Sequence, residues 1–453
     1  MKIFAERVLL ADGWAKQQTF TIEHGIIKAI ESGEQAGAEK VGTVIPGMVN
    51  CHSHAFQRAF AGFSEQGSEG QDSFWTWRNV MYKFLAQLTP ENEQVIATQL
   101  YIEMLKMGYT RVAEFHYLHH DINGEPYADL ATMANAIFDA AKEAGIGLTL
   151  LPVLYRYSGF GQQAATEGQK RFINDSKQFN QLVSDCFRLS ENYENTNVGI
   201  APHSLRAVDL TALSDAVDHV RALDAKAPIH IHIAEQQKEV DDCLAHYGKR
   251  PVQWLLDNMQ LDEQWCLIHA THINEQERQG IIAAQGIAGI CPTTEANLGD
   301  GIFPTTEFLA EHGTFAIGSD SHISVNPIEE LRWLEYAQRL IKQQRAILAN
   351  EKQLSVGQNL WQSAALGGAQ STHSNTGELS IGKQADLLVL DDQKLALFAH
   401  DEQYLLDSVI FATQTNVIKD VMVNGSWVVK AGVHAKEQGA ATAFAEMLAV
   451  LSA

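Results

Sequence analysis

Eight apolar runs, each ending in polar residues, recur through the middle of the chain and limit its fold more than any other feature. They read TVIPGMVNCHSH, TRVAEFHYL, GLTLLPVLY, NVGIAPHS, APIHIHIAE, WCLIHATHI, IAGICPTTEANL and TFAIGSDSH. Segments between them, such as DLATMANAIFDAAKEAG and TALSDAVDHVRAL, carry apolar residues at spacings of three and four, the period of an amphipathic helix. Eight strand-helix units predict an α/β fold, a (β/α)8 TIM-like barrel with its active site at the C-terminal strand ends. The polar residues of the runs fall at those ends.

The two ends of the chain read differently. KIFAERVLLADGW and QTFTIEHGIIKAI near the start, and GELSIGKQADLLVLD and VIKDVMVNGSWVVKAG near the finish, alternate like short strands between glycine turns. The termini are therefore expected to pair into one small β-sandwich domain, made from residues 1–45 and 376–453, the latter with a terminal helix. The barrel is expected over residues 46–375. A chain of 453 residues that is 45% hydrophobic has ample material for such a core.

Composition excludes some partners. No apolar stretch reaches the roughly 18 to 20 residues that span a membrane, and the charged start MKIFAERVLLADGW lacks a signal-peptide centre. Five cysteines without a C-x-x-C pair fit reduced thiols in the cytoplasm. A net charge of -22 opposes nucleic acid as a partner and requires local arginines for any anionic substrate.

The strand ends hold the chemistry. His52 and His54 end the first run two residues apart, so in a strand they share a face. The fifth run ends in His232 with Glu235 three residues on, the sixth in His269, and the eighth in GSDS with Asp320. Three imidazoles and a carboxylate can hold a divalent ion and leave a place for water. His52, His54, His232 and Asp320 are assigned as its ligands. Cys51 alternates to the opposite face from His52 and reads as a core thiol, and His230 as barrel lining or support. Metal-bound water has a pKa of about 7, giving hydroxide at neutral pH. Glu235 is the candidate proton shuttle. His269 is assigned to orient the hydroxide and stabilise developing charge, and Asp320 doubles as a proton acceptor. No lysine in the third or fourth run could bridge two ions, so one metal is expected.

With PGMVNCHSH, HIHIAE, IHATHI, GSDS and GELSIGKQADLLVLD, the chain resembles the amidohydrolase superfamily in its single-metal deaminase branch, over almost its whole length. The segments HSHAFQRAFAG, DSFWTWRNVMY, VAEFHYLHHD, APHSLRAV and CPTTEANLGDGIFP resemble the iminohydrolases that act on N-formimino-L-glutamate. The resemblance implies one zinc ion per subunit, a homodimer, and hydrolytic deimination to N-formyl-L-glutamate and ammonia in histidine breakdown. Iron or manganese would accept the same ligands.

A dicarboxylate substrate calls for arginine forks. Arg206 follows the fourth run and Arg78 lies in the long segment after the first; Tyr117, His203 and Gln57 can add hydrogen bonds. The resemblance supports all five as substrate contacts. Residues 57 to 90 are too long for a simple βα loop, and the aromatics there, Trp75 and Trp77, read as packing or a lid. Glu114, His119, His120, Glu295 and Asn297 are left unassigned; Ser321 and His322 read as supports of the metal site. The competing readings are a deaminase of guanine or another aminated heterocycle, and a barrel without catalysis.

Overall fold

The computed structural model describes residues 1–63, 65, 81–82, 84–398 and 401–451. Eight parallel strand positions form a closed ring. The first, Met48–Ser53, pairs with Tyr109–His116, which pairs with Gly147–Leu154. The fourth comes in two short pieces, Thr196–Val198 and Ala201–Pro202, both beside the third. A bridge from Ile200 to Ile229 leads to the fifth, Ile229–Ile233. Trp265–His269, Ile287–Ile290 and Thr314–Ile317 follow in register. A bridge between Ser53 and Asp320 returns the eighth strand to the first.

Apart from the half-buried start of the fourth, Thr196–Val198, and of the eighth, at Thr314, these strands are buried on both faces, and the helices that the spacing predicts lie between them. Thr132–Ala144 and Leu210–Leu223 bury one apolar side each, through Ile137, Phe138 and Ala141 in the first and Leu213, Val217 and Val220 in the second. The strand polarity puts every C-terminal end at one mouth, where the helix-side packing gives way to polar groups.

The termini form an eight-stranded sheet against the barrel. Glu39–Pro46 lies at its middle, parallel to Lys2–Leu10 and antiparallel to Leu387–Leu390. Gly13–Glu23 and Ile26–Ser32 extend one side, and Ile418–Val423, Ser426–Lys430 and Val433–His434 the other. Ile3, Val8, Phe20, Ile27, Val44, Leu387 and Met422 share one core, so N- and C-terminal strands cover each other's apolar faces. One residue, Gly47, separates Glu39–Pro46 from the first barrel strand. The indole of Trp361 donates to the Pro46 carbonyl at 3.1 Å, tying helix Val356–Ser371 to this crossing. The helix Glu437–Leu451 returns to lie along Pro90–Met107, with Lys106 paired to Glu437.

The closing seam leaves no room for a side chain at Gly318. A β-carbon there would sit 2.7 Å from the His52 β-carbon and 2.9 Å from its backbone nitrogen. Gly318→Ala is therefore expected to lower unfolding free energy by about 1–3 kcal/mol, the usual cost of overpacking. Urea denaturation measures it, and an unchanged midpoint would contradict the tight seam.

Candidate metal centre and active site

The closing seam also builds the site. The Asn50 side chain donates to Ser319 Oγ at 2.6 Å and accepts from the Ser319 backbone N–H at 3.1 Å. The Asp320 backbone N–H donates to the His52 carbonyl at 3.0 Å. The His54 backbone N–H donates to Nε2 of His322 at 3.2 Å, which leaves the proton of that ring on Nδ1, facing Ser319 Oγ at 3.0 Å. Glu114, on the second strand, accepts from Ser53 Oγ and the Ala55 backbone N–H, each at 2.6 Å, and from Tyr101 at 3.1 Å. The turn that carries His52 and His54 is thus held from both neighbouring strands.

Hydrogen bonds also fix which ring nitrogen faces the centre. Nδ1 of His54 donates to the Phe115 carbonyl at 3.0 Å, and Nδ1 of His232 faces the His203 carbonyl at 3.3 Å. Their Nε2 atoms therefore present lone pairs inward. His52 Nε2 lies 3.0 Å from His232 Nε2 and 3.4 Å from Asp320 Oδ1, and His54 Nε2 is 3.3 Å from the same oxygen. Burial holds all three imidazoles neutral, lowering that of His54 to about 3 and those of His52 and His232 well below the usual range. Acceptor atoms of two rings and a carboxylate converge in a buried place around Nε2 of His52, whose Nδ1 has no hydrogen-bond partner. Such a donor set fits a divalent cation, and His52, His54 and His232 offer nitrogens within 4.8 Å of one another.

His269 stands beside this cluster with a different charge. Its Nε2 is 3.7 Å from Glu235 and 3.8 Å from the second oxygen of Asp320, and its Nδ1 meets Glu295 at 3.2 Å. Burial works against the imidazolium, but Glu235, Glu295 and Asp320 outweigh it and push its pKa up to about 10. Burial pushes Glu235 up to about 7, against the pull of His269 and Arg206. A protonatable carboxyl beside a cationic imidazole is suited to moving protons near neutral pH. The backbone here is left-handed at Ala234, His269, Ala270, Asp320 and His322, a conformation that costs non-glycine residues about 1 kcal/mol or more each and concentrates at functional sites.

One cavity joins the metal cluster to the expected substrate contacts. Gln57, Tyr117, His203 and Arg206 line it with His54, His232, Glu235, His269 and Asp320. Tyr117 and His203 meet at 3.1 Å, and His203 Nδ1 faces Ser204 Oγ at 2.8 Å. Burial opposes the Arg206 cation, but Glu239 and Glu235 more than compensate and hold its pKa above the ordinary value. Arg78, with Trp75 and Trp77, lies outside the described residues.

Several residues left unassigned, or unseen, in the sequence belong to this site. Glu114 holds the ligand turn together with His322, which the sequence reads as a support of the metal site, and Glu295 orients His269 while accepting from the Cys291 backbone N–H at 2.8 Å. Asp300, bonded to Gln236, is buried near Glu235 and His269 and is pushed up to about 9, first by burial and then by Glu235. Tyr155, Phe172, Met81, Tyr82 and Leu298 complete the cavity wall. No spacing rule points to them, because they come from turns and short helices between the strands. Other residues turn away from the cavity. His119 and His120 bond the Val153 and Ile173 carbonyls, Asn297 bonds Glu65 at the surface, and His230 bonds the Ser371 carbonyl. Cys51 packs with Cys266 and Cys291 in a buried apolar cluster.

A barrel of this form with a buried His/Asp metal cluster at its mouth is the arrangement of a metal-dependent hydrolase. Residues 43–428 match the amidohydrolase family, and residues 1–40 match the N-terminal domain of formimidoylglutamate deiminase HutF. A formimidoylglutamate deiminase of Pseudomonas aeruginosa is 50% identical over 452 residues, 99% of each chain. The crystal structure of an amidohydrolase from Brucella melitensis, 47% identical, superposes over 100% of both chains with a TM-score of 0.94. An 8-oxoguanine deaminase of Pseudomonas aeruginosa is 28% identical over 86% of this chain and 82% of its own. The chain belongs to the amidohydrolase family and, within it, groups with the formimidoylglutamate deiminases.

Two expectations follow for the metal centre. Asp320→Ala and His232→Ala should each take bound metal, measured by elemental analysis, from one ion per chain towards none. His322→Ala should weaken metal affinity about 10- to 100-fold in a chelator competition, as loss of a ligand's support does elsewhere; unchanged affinity would contradict the role given to the seam.

Proposed function

We propose that this protein hydrolyses N-formimino-L-glutamate to N-formyl-L-glutamate and ammonia, a step of histidine breakdown, with one zinc ion at the His52, His54, His232 and Asp320 centre. The observation that carries this reading is that one cavity is lined both by metal donors with Glu235 and by Arg206, Tyr117, His203 and Gln57, Tyr117 lying 4.6 Å from His54 and His203 5.0 Å from His232 between ring centres. Full-length identity of 50% to a formimidoylglutamate deiminase supports the substrate. Three imidazoles and a carboxylate are a zinc donor set, and a zinc ion held there makes a water acidic enough to be a nucleophile at neutral pH.

The residues then act as follows. Arg206 pairs with a substrate carboxylate, and Tyr117, His203 and Gln57 donate to the polar groups around it. This fixes the formimino carbon beside Glu235 and Asp320, orientation that can supply much of the rate. Glu235 as carboxylate takes one proton from the attacking water and delivers it to the imino nitrogen. Cationic His269 faces the negative charge that gathers on the attacking oxygen. Asp320, through the oxygen nearer His269, accepts the second proton of the water. That proton reaches the nitrogen through Glu235 as the C–N bond breaks and ammonia leaves. The carbon keeps the oxygen as a formyl group.

The reading also takes the protein to be a cytoplasmic homodimer. The five cysteines are free and buried, in keeping with a reducing compartment. Trp333, Leu340 and Ile341 expose apolar area along helix Pro327–Lys342, which suits a subunit contact. Among the described residues, no helix is long and apolar enough to cross a membrane.

Ammonia release from N-formimino-L-glutamate, with guanine assayed alongside, tests the substrate. Glu235→Gln should keep its metal and lose about 10²- to 10⁴-fold in kcat. Arg206→Met should lose about 10- to 150-fold in kcat/KM, the value of a hydrogen-bonded charge. Turnover of guanine alone would keep the metal chemistry and overturn the substrate.

A further inference from the structure

A second group of metal-type donors stands beside the His52, His54, His232 and Asp320 centre and shares no residue with it. Glu235 follows the fifth barrel strand, His269 ends the sixth, and Asp300 follows helix Pro292–Leu298, beyond the seventh. Each offers one donor atom, and the three atoms lie within 4.8 Å of one another. All three residues are buried, Asp300 being 5% exposed.

The surroundings fix these donors and leave one of them short of a partner. The Glu295 carboxylate can only accept, so His269 Nδ1 donates to it at 3.2 Å, and Nε2 is the ring atom that can give up its proton and bind a metal. That Nε2 lies 3.7 Å from Glu235 Oε1. Asp300 is held at three points. Its backbone N–H donates to the Glu295 carbonyl at 3.0 Å, its carbonyl accepts from His272 Nε2 at 2.8 Å, and its Oδ1 accepts from the Gln236 amide. Its Oδ2 is buried and has no hydrogen-bond partner. Glu235, Glu295 and Asp320 act on Asp300 as like charges, and His269 is the opposite charge set against them. A cation stabilises a buried carboxylate with an unused oxygen among like charges. One imidazole nitrogen with two carboxylate oxygens is a donor set that zinc accepts.

We propose that Glu235, His269 and Asp300 form a second divalent-cation site, which takes zinc once the His52, His54, His232 and Asp320 centre is filled and thereby inhibits the protein. The first centre has four protein donors and this one three, so the second ion binds only above one ion per chain. The site follows from its three donors alone; its inhibitory effect rests on the proposed deiminase reading. An ion here holds the carboxylate by which Glu235 moves protons and the His269 nitrogen that faces the developing charge. Excess zinc then stops hydrolysis while the first centre stays loaded.

Equilibrium dialysis of the full-length protein against buffered free zinc, with bound metal counted by elemental analysis, tests the site. The wild type should rise from one bound ion per chain to two. Asp300→Asn keeps an oxygen for Gln236 but loses the anionic donor, and should stop at one. A wild-type plateau at one ion, or a second ion in Asp300→Asn at the same free zinc, would overturn the site. Anomalous diffraction at the zinc edge, from wild-type crystals soaked in zinc, decides the matter if the variant fails to fold. A second peak among Glu235, His269 and Asp300 supports the proposal, and a second ion found only elsewhere overturns it. Ammonia release from N-formimino-L-glutamate along the same zinc series tests the consequence. The rate should fall about 10²-fold as the second ion binds, the lower end of what loss of a proton-transfer group costs. A full rate with two ions bound would overturn the inhibition. No turnover at one ion per chain would overturn the deiminase reading and the inhibition with it, while the ion count decides the site by itself.

Discussion

The bond from the Asp320 backbone N–H to the His52 carbonyl, with the Asn50–Ser319 pair beneath it, is the contact on which the rest of the site depends. It closes the barrel and, in the same stroke, brings a carboxylate from the last strand against two imidazoles from the first. A barrel open at this seam would still bury most of its apolar residues. Its metal donors, however, would belong to two unconnected strand ends. Because Gly318 lets the two strands approach closely, the closure leaves no side chain between ligand and backbone. Stability of the fold and assembly of the site are therefore one problem here.

Around that seam, burial assigns different charges to chemically similar groups. His52, His54 and His232 are neutral because burial, and then the imidazoles around them, disfavour their charged forms. His269, within a few ångströms of three carboxylates, holds its proton. Glu235 sits between these regimes, close to neutrality. Ligation, charge stabilisation and proton transfer thus fall to residues set apart by their neighbours rather than by their type.

Much of this was visible in the sequence, for a physical reason. Strand parity and the polar ends of apolar runs are local properties, so His52, His54, His232, His269 and Asp320 could be placed at one barrel mouth from spacing alone. The sheet made by both termini followed from the same alternation, although its strands run in one hydrogen-bonded order through Glu39–Pro46. The loop residues could not be found this way. Tyr155, Glu295 and Asp300 reach the site from a strand end, the short helix Pro292–Leu298 and the turn after it, whose paths depend on tertiary contacts. Glu114 looks like an ordinary strand carboxylate until its three donors are seen. His119 and His120, beside Tyr117 in sequence, show the converse: adjacency to the site in the chain left them bonded to backbone carbonyls.

The central claim is that the seam builds one nitrogen- and oxygen-ligated metal centre in the cavity that Glu235 lines. X-ray absorption at the zinc edge, on protein loaded with one ion per chain, tests it most directly. The account predicts nitrogen and oxygen neighbours at about 2.0–2.2 Å, with imidazole scattering from three rings. A sulfur neighbour at about 2.3 Å would place the ion on the buried cysteines instead, and a second metal at about 3.5–4 Å would replace the single-ion centre with a pair. Either result would contradict the account.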